Sequence, residues 1–134
     1  MAYNAIRPMV DATVQVFNTA GGTPAGSIIN AVSPYKGYLI EAGFAANDSV
    51  TSAMTLAVSI GNNIINSAAS NYTQVVASTS FSSTNIYQGN TCSVTLSPSS
   101  ANYVNAGDAI RFVTSGGNTS AVGCTLYAVI RRAV

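Results

Sequence analysis

No histidine and no tryptophan occur among the 134 residues, and only 7% of the chain is charged. Without histidine the protein lacks the usual general base, the usual partner of a nucleophilic serine or cysteine, and the commonest metal ligand. Its only carboxylates, Asp11, Glu41, Asp48 and Asp108, lie on four separate segments, so a paired-acid hydrolase has no pattern to rest on. The single lysine, Lys36, stands between Pro34-Tyr35 and Gly37, where it reads as a solvated residue at a strand entrance rather than a desolvated nucleophile. Phosphate-cradling glycine motifs are missing as well. The chain is therefore expected to be no enzyme, with no catalytic, metal or cofactor site.

A net charge of +1 gives no electrostatic footprint for nucleic acid or an anionic membrane, both of which need clustered Lys and Arg. The one basic cluster, Arg131-Arg132, reads as a solvated strand end. No apolar run approaches the roughly 18 residues that span a bilayer, and no charged segment followed by an apolar one opens the chain. Neither nucleic acid nor membrane is an expected partner. Cys92 and Cys124 are too few and too far apart for a metal knuckle; both fall in apolar alternating segments and read as buried thiols. A bridge between them is left open, because it depends on whether their strands are neighbours.

What the chain does have is alternation with a period of two. In the segment from Met54 to Ile60, Met54, Leu56, Val58 and Ile60 point one way and Thr55, Ala57 and Ser59 the other, as a strand with one buried face requires. The pattern recurs with Cys92, Val94 and Leu96, and again with Cys124, Leu126, Ala128 and Ile130. Less regular strands are expected over 11–18, 35–46, 73–81 and 108–115. In the second of these, Tyr38, Ile40, Ala42 and Phe44 are assigned to one face, with Leu39, Glu41 and Gly43 on the other. The only candidate turn of helix runs from Ser67 to Tyr72. Seven or eight strands separated by Gly, Pro, Asn and Ser clusters predict an all-β, antiparallel β-sandwich, and within that class a jelly roll of about eight strands.

Residues 1–34 differ from the rest. They hold three of the four prolines and a small-residue stretch from Thr19 to Ser27, with one short strand between, so they are assigned as an N-terminal arm or edge segment beside a sandwich core over 35–134. The best-formed local motif runs from Val104 to Gly117. Gly107 supplies a turn, Asp108 accepts backbone N–H groups as the chain enters a strand, and Ile110 and Phe112 drop into the core. Arg111 is left on the opposite face, where it could pair with a carboxylate on a neighbouring strand. One Asp does not gather the several oxygens that calcium needs. Tyr3, Tyr35, Tyr72, Tyr87 and Tyr103 fall outside the alternating cores, where tyrosine either packs a loop down or serves an interface.

The Ala106-Gly107-Asp108-Ala109-Ile110 turn, the Thr114-Ser115-Gly116-Gly117 turn and the closing strand from Cys124 to Arg132 resemble the C-terminal half of small viral jelly rolls. More particularly, the chain from about 35 to 134 resembles the capsid decoration, or cement, proteins of tailed bacteriophages. The resemblance implies a virion structural protein on the outer surface of the head, assembled in the host cytoplasm. There it would bind the major capsid protein, commonly as a homotrimer, and lock neighbouring capsid subunits together. Tyr3, Ile6, Arg7, Pro8 and Met9 of the arm are the expected contacts with capsid or a neighbouring protomer. The alternative is an oligomeric jelly-roll head of a phage fibre that binds a receptor or carbohydrate.

Overall fold

The computed structural model describes residues 11–18, 27–61, 72–87, 90–116 and 124–133. They form nine strands: β1 Asp11–Asn18, β2 Ser27–Val32, β3 Gly37–Ala46, β4 Met54–Gly61, β5 Tyr72–Phe81, β6 Thr91–Thr95, β7 Tyr103–Val104, β8 Ala109–Gly116 and β9 Cys124–Arg132. Two antiparallel sheets result, one ordered β1-β9-β3-β6 with β7 also paired to β3, the other β2-β8-β4-β5. The protein is an all-β sandwich. Tyr3, Ile6, Arg7, Pro8 and Met9 lie outside the described residues, as does the Ser67–Tyr72 turn up to its last residue, which opens β5. Among the described residues of 1–34 there are two strands where the sequence suggested one, and both are sheet edges. The adjacent Ile28-Ile29 pair breaks the alternation that would have announced β2.

Alternation fills the space between the sheets as the sequence requires. From the first sheet Phe44, Leu126, Ala128 and Ile130 point inward, and from the second Leu56, Val58, Ile110 and Phe112, all fully buried. Phe44 and Phe81 meet across the sheets edge to face, with ring centroids 5.3 Å apart. Such a core supplies the burial that an aliphatic side chain contributes at about 1.5–3 kcal/mol each. Cys92 and Cys124 are both buried, free thiols, and burial pushes each above its ordinary range. They cannot bridge. Cys92 faces Phe44 and Cys124 faces Ala46 from opposite sides of β3, which puts two strand spacings, about 10 Å, between their backbones.

The assignment of faces in β3 needs correction. Leu39 pairs with Ile130 and Glu41 with Val129, so Ile40 is an extra residue and forms a β-bulge. The bulge shifts the alternation by one: Leu39, Ala42, Phe44 and Ala46 face the core, whereas Tyr38, Ile40 and Glu41 are only half-buried. It also turns two successive carbonyls toward the same edge of β3. β9 borders the other edge throughout, so β6 and β7 share this one and the gap between them falls at the bulge.

Two donors fill that gap. The Leu96 amide donates to the Ile40 carbonyl at 2.7 Å, extending the β6 ladder by one bond. The Asn102 side chain donates to the Leu39 carbonyl at 2.8 Å and to the Ser97 carbonyl at 2.9 Å, while its Oδ1 accepts the Ser99 amide at 2.7 Å and the Ser99 hydroxyl at 2.9 Å. Asn102 is thus buried with its hydrogen-bonding capacity used, the condition under which a polar side chain belongs in a core. Replacing it with alanine, N102A, orphans the buried Leu39 carbonyl and should cost about 2–3 kcal/mol in urea unfolding. A loss below about 0.5 kcal/mol would show that the gap closes without it.

Candidate interaction surface

Chain reversals at one end of the sandwich are stitched by the Ala106-Gly107-Asp108 motif. Gly107 adopts φ 91°, a left-handed conformation that a side chain would strain. Asp108 is 1% exposed and accepts the Asn105 amide through Oδ2 at 2.8 Å. The Gly107 amide donates to the Ser33 carbonyl at 2.8 Å, and the Ser33 amide donates to the Asp108 carbonyl at 2.9 Å. Gly107 and Asp108 therefore lock the β7–β8 turn to the end of β2. In doing so they fix the neighbouring segment with Val32, 64% exposed, and Tyr35, whose ring lies 5.0 Å from the Arg132 guanidinium. Lys36 is exposed beside them, and its carbonyl accepts the Ala133 amide.

The outer face of the first sheet is organised by one tyrosine. Gly43 pairs with Ser93 on one side and Tyr127 on the other, and a Cβ at Gly43 would stand 2.3 Å from the Cys92 carbonyl oxygen and 2.9 Å from the Tyr127 hydroxyl. Glycine leaves room for the Tyr127 ring to lie over β3, where its hydroxyl donates to Glu41 Oε1 at 2.8 Å. The bulge makes this contact by turning Glu41 outward. Burial first, and then the bond to Glu41, push the Tyr127 hydroxyl up to about 12, with a hydrogen bond to Ser93 acting in the opposite direction. Tyr38 and Tyr103 form a second aromatic contact nearby, a cross-strand pair at 5.3 Å and 74°.

The outer face of the second sheet is nearly neutral: Thr55, Ala57 and Ser59 from β4, Ala109, Val113 and Ser115 from β8, all half-buried, with a hydrogen bond between Thr55 and Ser115. Arg111 is the exception. A carboxylate on a neighbouring strand was the partner the sequence left open to it; instead its guanidinium lies over the Tyr72 ring, 3.7 Å from the centroid. Its register partners are Asn30 and Ser59, both uncharged, which is why no ion pair forms there.

The four carboxylates stay dispersed in the fold. Asp11 lies in β1 opposite Arg131, Glu41 is held by Tyr127, Asp48 is exposed in the β3–β4 loop and Asp108 is tied into its turn. Among the described residues no group of three or more Cys, Asp or Glu is placed to hold a metal ion, and no helix is long and apolar enough to cross a membrane. Comparison with known family models and with curated proteins finds no match. What the arrangement offers is two largely uncharged sheet faces with a few anchored polar groups. The Tyr127–Glu41 contact and the Arg111–Tyr72 stack escaped sequence reading because each depends on cross-strand register; alternation signalled only that these side chains point outward.

Because folded Tyr127 keeps its proton to about pH 12 while an unfolded tyrosine loses it near 10, its contribution to stability is complete below pH 10 and is lost as pH rises toward 12. Urea midpoints should therefore fall more steeply between pH 9 and 11.5 for the wild type than for Y127F. Equal slopes would remove Tyr127 from the account.

Proposed function

We propose that the protein is a virion structural protein. It decorates the outside of a tailed-phage head, binding the major capsid protein between capsid subunits and stabilising the shell as a homo-oligomer, most simply a trimer. The observation that carries this reading is the strand order. With β6 and β7 counted as one interrupted strand, the sheets read 1-8-3-6 and 2-7-4-5, an order that supports the jelly-roll reading and, with it, the resemblance of the 106–117 turns and the closing strand to viral jelly rolls. Fold alone does not specify function, so the surface has to agree. It does: neutral, hydroxyl-rich sheet faces suit burial in protein contacts, since they cost less to desolvate than charged ones.

A second reading, a receptor- or carbohydrate-binding head of a fibre, is favoured by Tyr35 and Tyr87, which are 39% and 51% exposed and sit at opposite ends of the sandwich as potential stacking platforms. Mixing purified protein with undecorated capsids of its source virus separates the two. Decoration predicts saturable co-sedimentation at a fixed number of copies per head, a shell more resistant to heat, and weaker binding after deletion of residues 1–10. No co-sedimentation, together with binding on a glycan array, would select the fibre head.

A further inference from the structure

Charges in this chain are few enough to be followed one by one. Among the described cations, Arg131 is the register partner of Asp11 in β1, while Lys36 and Arg132 are exposed to water. Arg111 differs from all of these. It is half-buried on the outer face of the second sheet, stacked on Tyr72, whose ring lies over Gly61 so closely that a Cβ there would be 2.6 Å from it. Its Nε is buried without a hydrogen-bond partner. A guanidinium does not shed its charge, so stacking alone leaves it short of the acceptor that a desolvated arginine needs. No strand of its sheet carries a carboxylate.

Among the carboxylates whose side chains are described, Glu41 accepts from Tyr127 and Asp108 is tied into its turn. Asp48 is the exposed one; it accepts the adjacent Ser49 amide at 2.7 Å and otherwise faces outward from the β3–β4 loop. It cannot reach Arg111 in its own chain. The loop leads into Met54 at the far end of β4, whereas Arg111 pairs with Ser59, about 17 Å further along the strand. The Val50 amide bonds the Ile86 carbonyl, so the exposed Tyr87 lies at the same end as Asp48. That end presents an acid and an aromatic, and the face around Arg111 presents a cation among neutral small side chains.

We propose that Arg111 of one copy binds the Asp48 carboxylate of a second copy, so that the chain self-associates head to tail, the loop end of one molecule seated on the second-sheet face of the next. The guanidinium, already oriented by Tyr72, meets the carboxylate through its two terminal Nη groups, because the buried Nε is closed to a second copy. A contact between two different patches repeats from copy to copy and ends in a ring when the rotation between copies closes. The inference concerns contacts between copies of this chain and stands apart from the capsid reading.

Sedimentation velocity across micromolar concentrations tests it, with circular dichroism and thermal unfolding to confirm folding. The wild type should form a discrete oligomer. D48R, a change at an exposed loop position, should raise the dissociation constant at least about tenfold, as should R111E, and the charge-swapped double variant D48R/R111E should regain association. If R111E does not fold, D48N and D48E carry the test: association is lost in the first and kept in the second. A monomeric wild type, a D48R that associates like the wild type, folded single variants whose combination stays dissociated, or D48N and D48E that behave alike would each overturn the proposal.

Discussion

Between Thr95 and Tyr103 the strand that borders β3 is interrupted, and the side-chain amide of Asn102 fills the break by donating to the Leu39 carbonyl. The bulge at Ile40 makes this necessary, since it turns the Leu39 and Ile40 carbonyls toward the same edge and a regular ladder accommodates only one of them. Much else depends on that arrangement. The bulge sets the phase that sends Leu39, Ala42, Phe44 and Ala46 into the core, and through Phe44 it fixes the contact with Phe81 that joins the two sheets. On the other side it turns Glu41 outward to meet Tyr127. One irregularity in one strand thus decides both what the core contains and how one outer face is built.

Scarcity of charge shapes the rest. Most soluble domains carry about a quarter charged residues, scattered over a surface whose pairs matter little individually. Here four of the described charges have an identifiable environment: a turn for Asp108, a tyrosine hydroxyl for Glu41, a register partner for Arg131 and a tyrosine ring for Arg111. The outer face of the second sheet is left with Thr, Ser, Ala and Val at intermediate exposure, and β6 of the first sheet turns Thr91, Ser93 and Thr95 to water. Such a surface is unusual for a chain that works alone in water, which is the physical ground for reading the protein as a part of an assembly.

The core was legible in the sequence wherever a strand ran straight. Alternation placed Met54, Leu56, Val58 and Ile60, and Cys124, Leu126, Ala128 and Ile130, on the buried face where they are found. It failed in β3, because nothing in the composition of Gly37–Ala46 marks which residue is the extra one, and a single insertion reverses every side chain that precedes it. It failed also for β2, whose paired isoleucines have no period. Surface contacts were hidden for a different reason. Tyr127 over Gly43, and Arg111 against Tyr72, join residues 84 and 39 positions apart, and only the strand order brings them together.

Native-state hydrogen exchange at the Leu96 amide tests most directly whether the interrupted edge is a true part of the β3 ladder. This amide lies just beyond β6, on the last residue of the Cys92, Val94, Leu96 alternation, and donates to the Ile40 carbonyl at the bulge. If the edge is closed as described, Leu96 exchanges only through global unfolding, with the same protection and denaturant dependence as Ala42 and Ala128 at the centre of the first sheet. Exchange at the rate of an open loop, while Ala42 and Ala128 remain protected, would contradict the account.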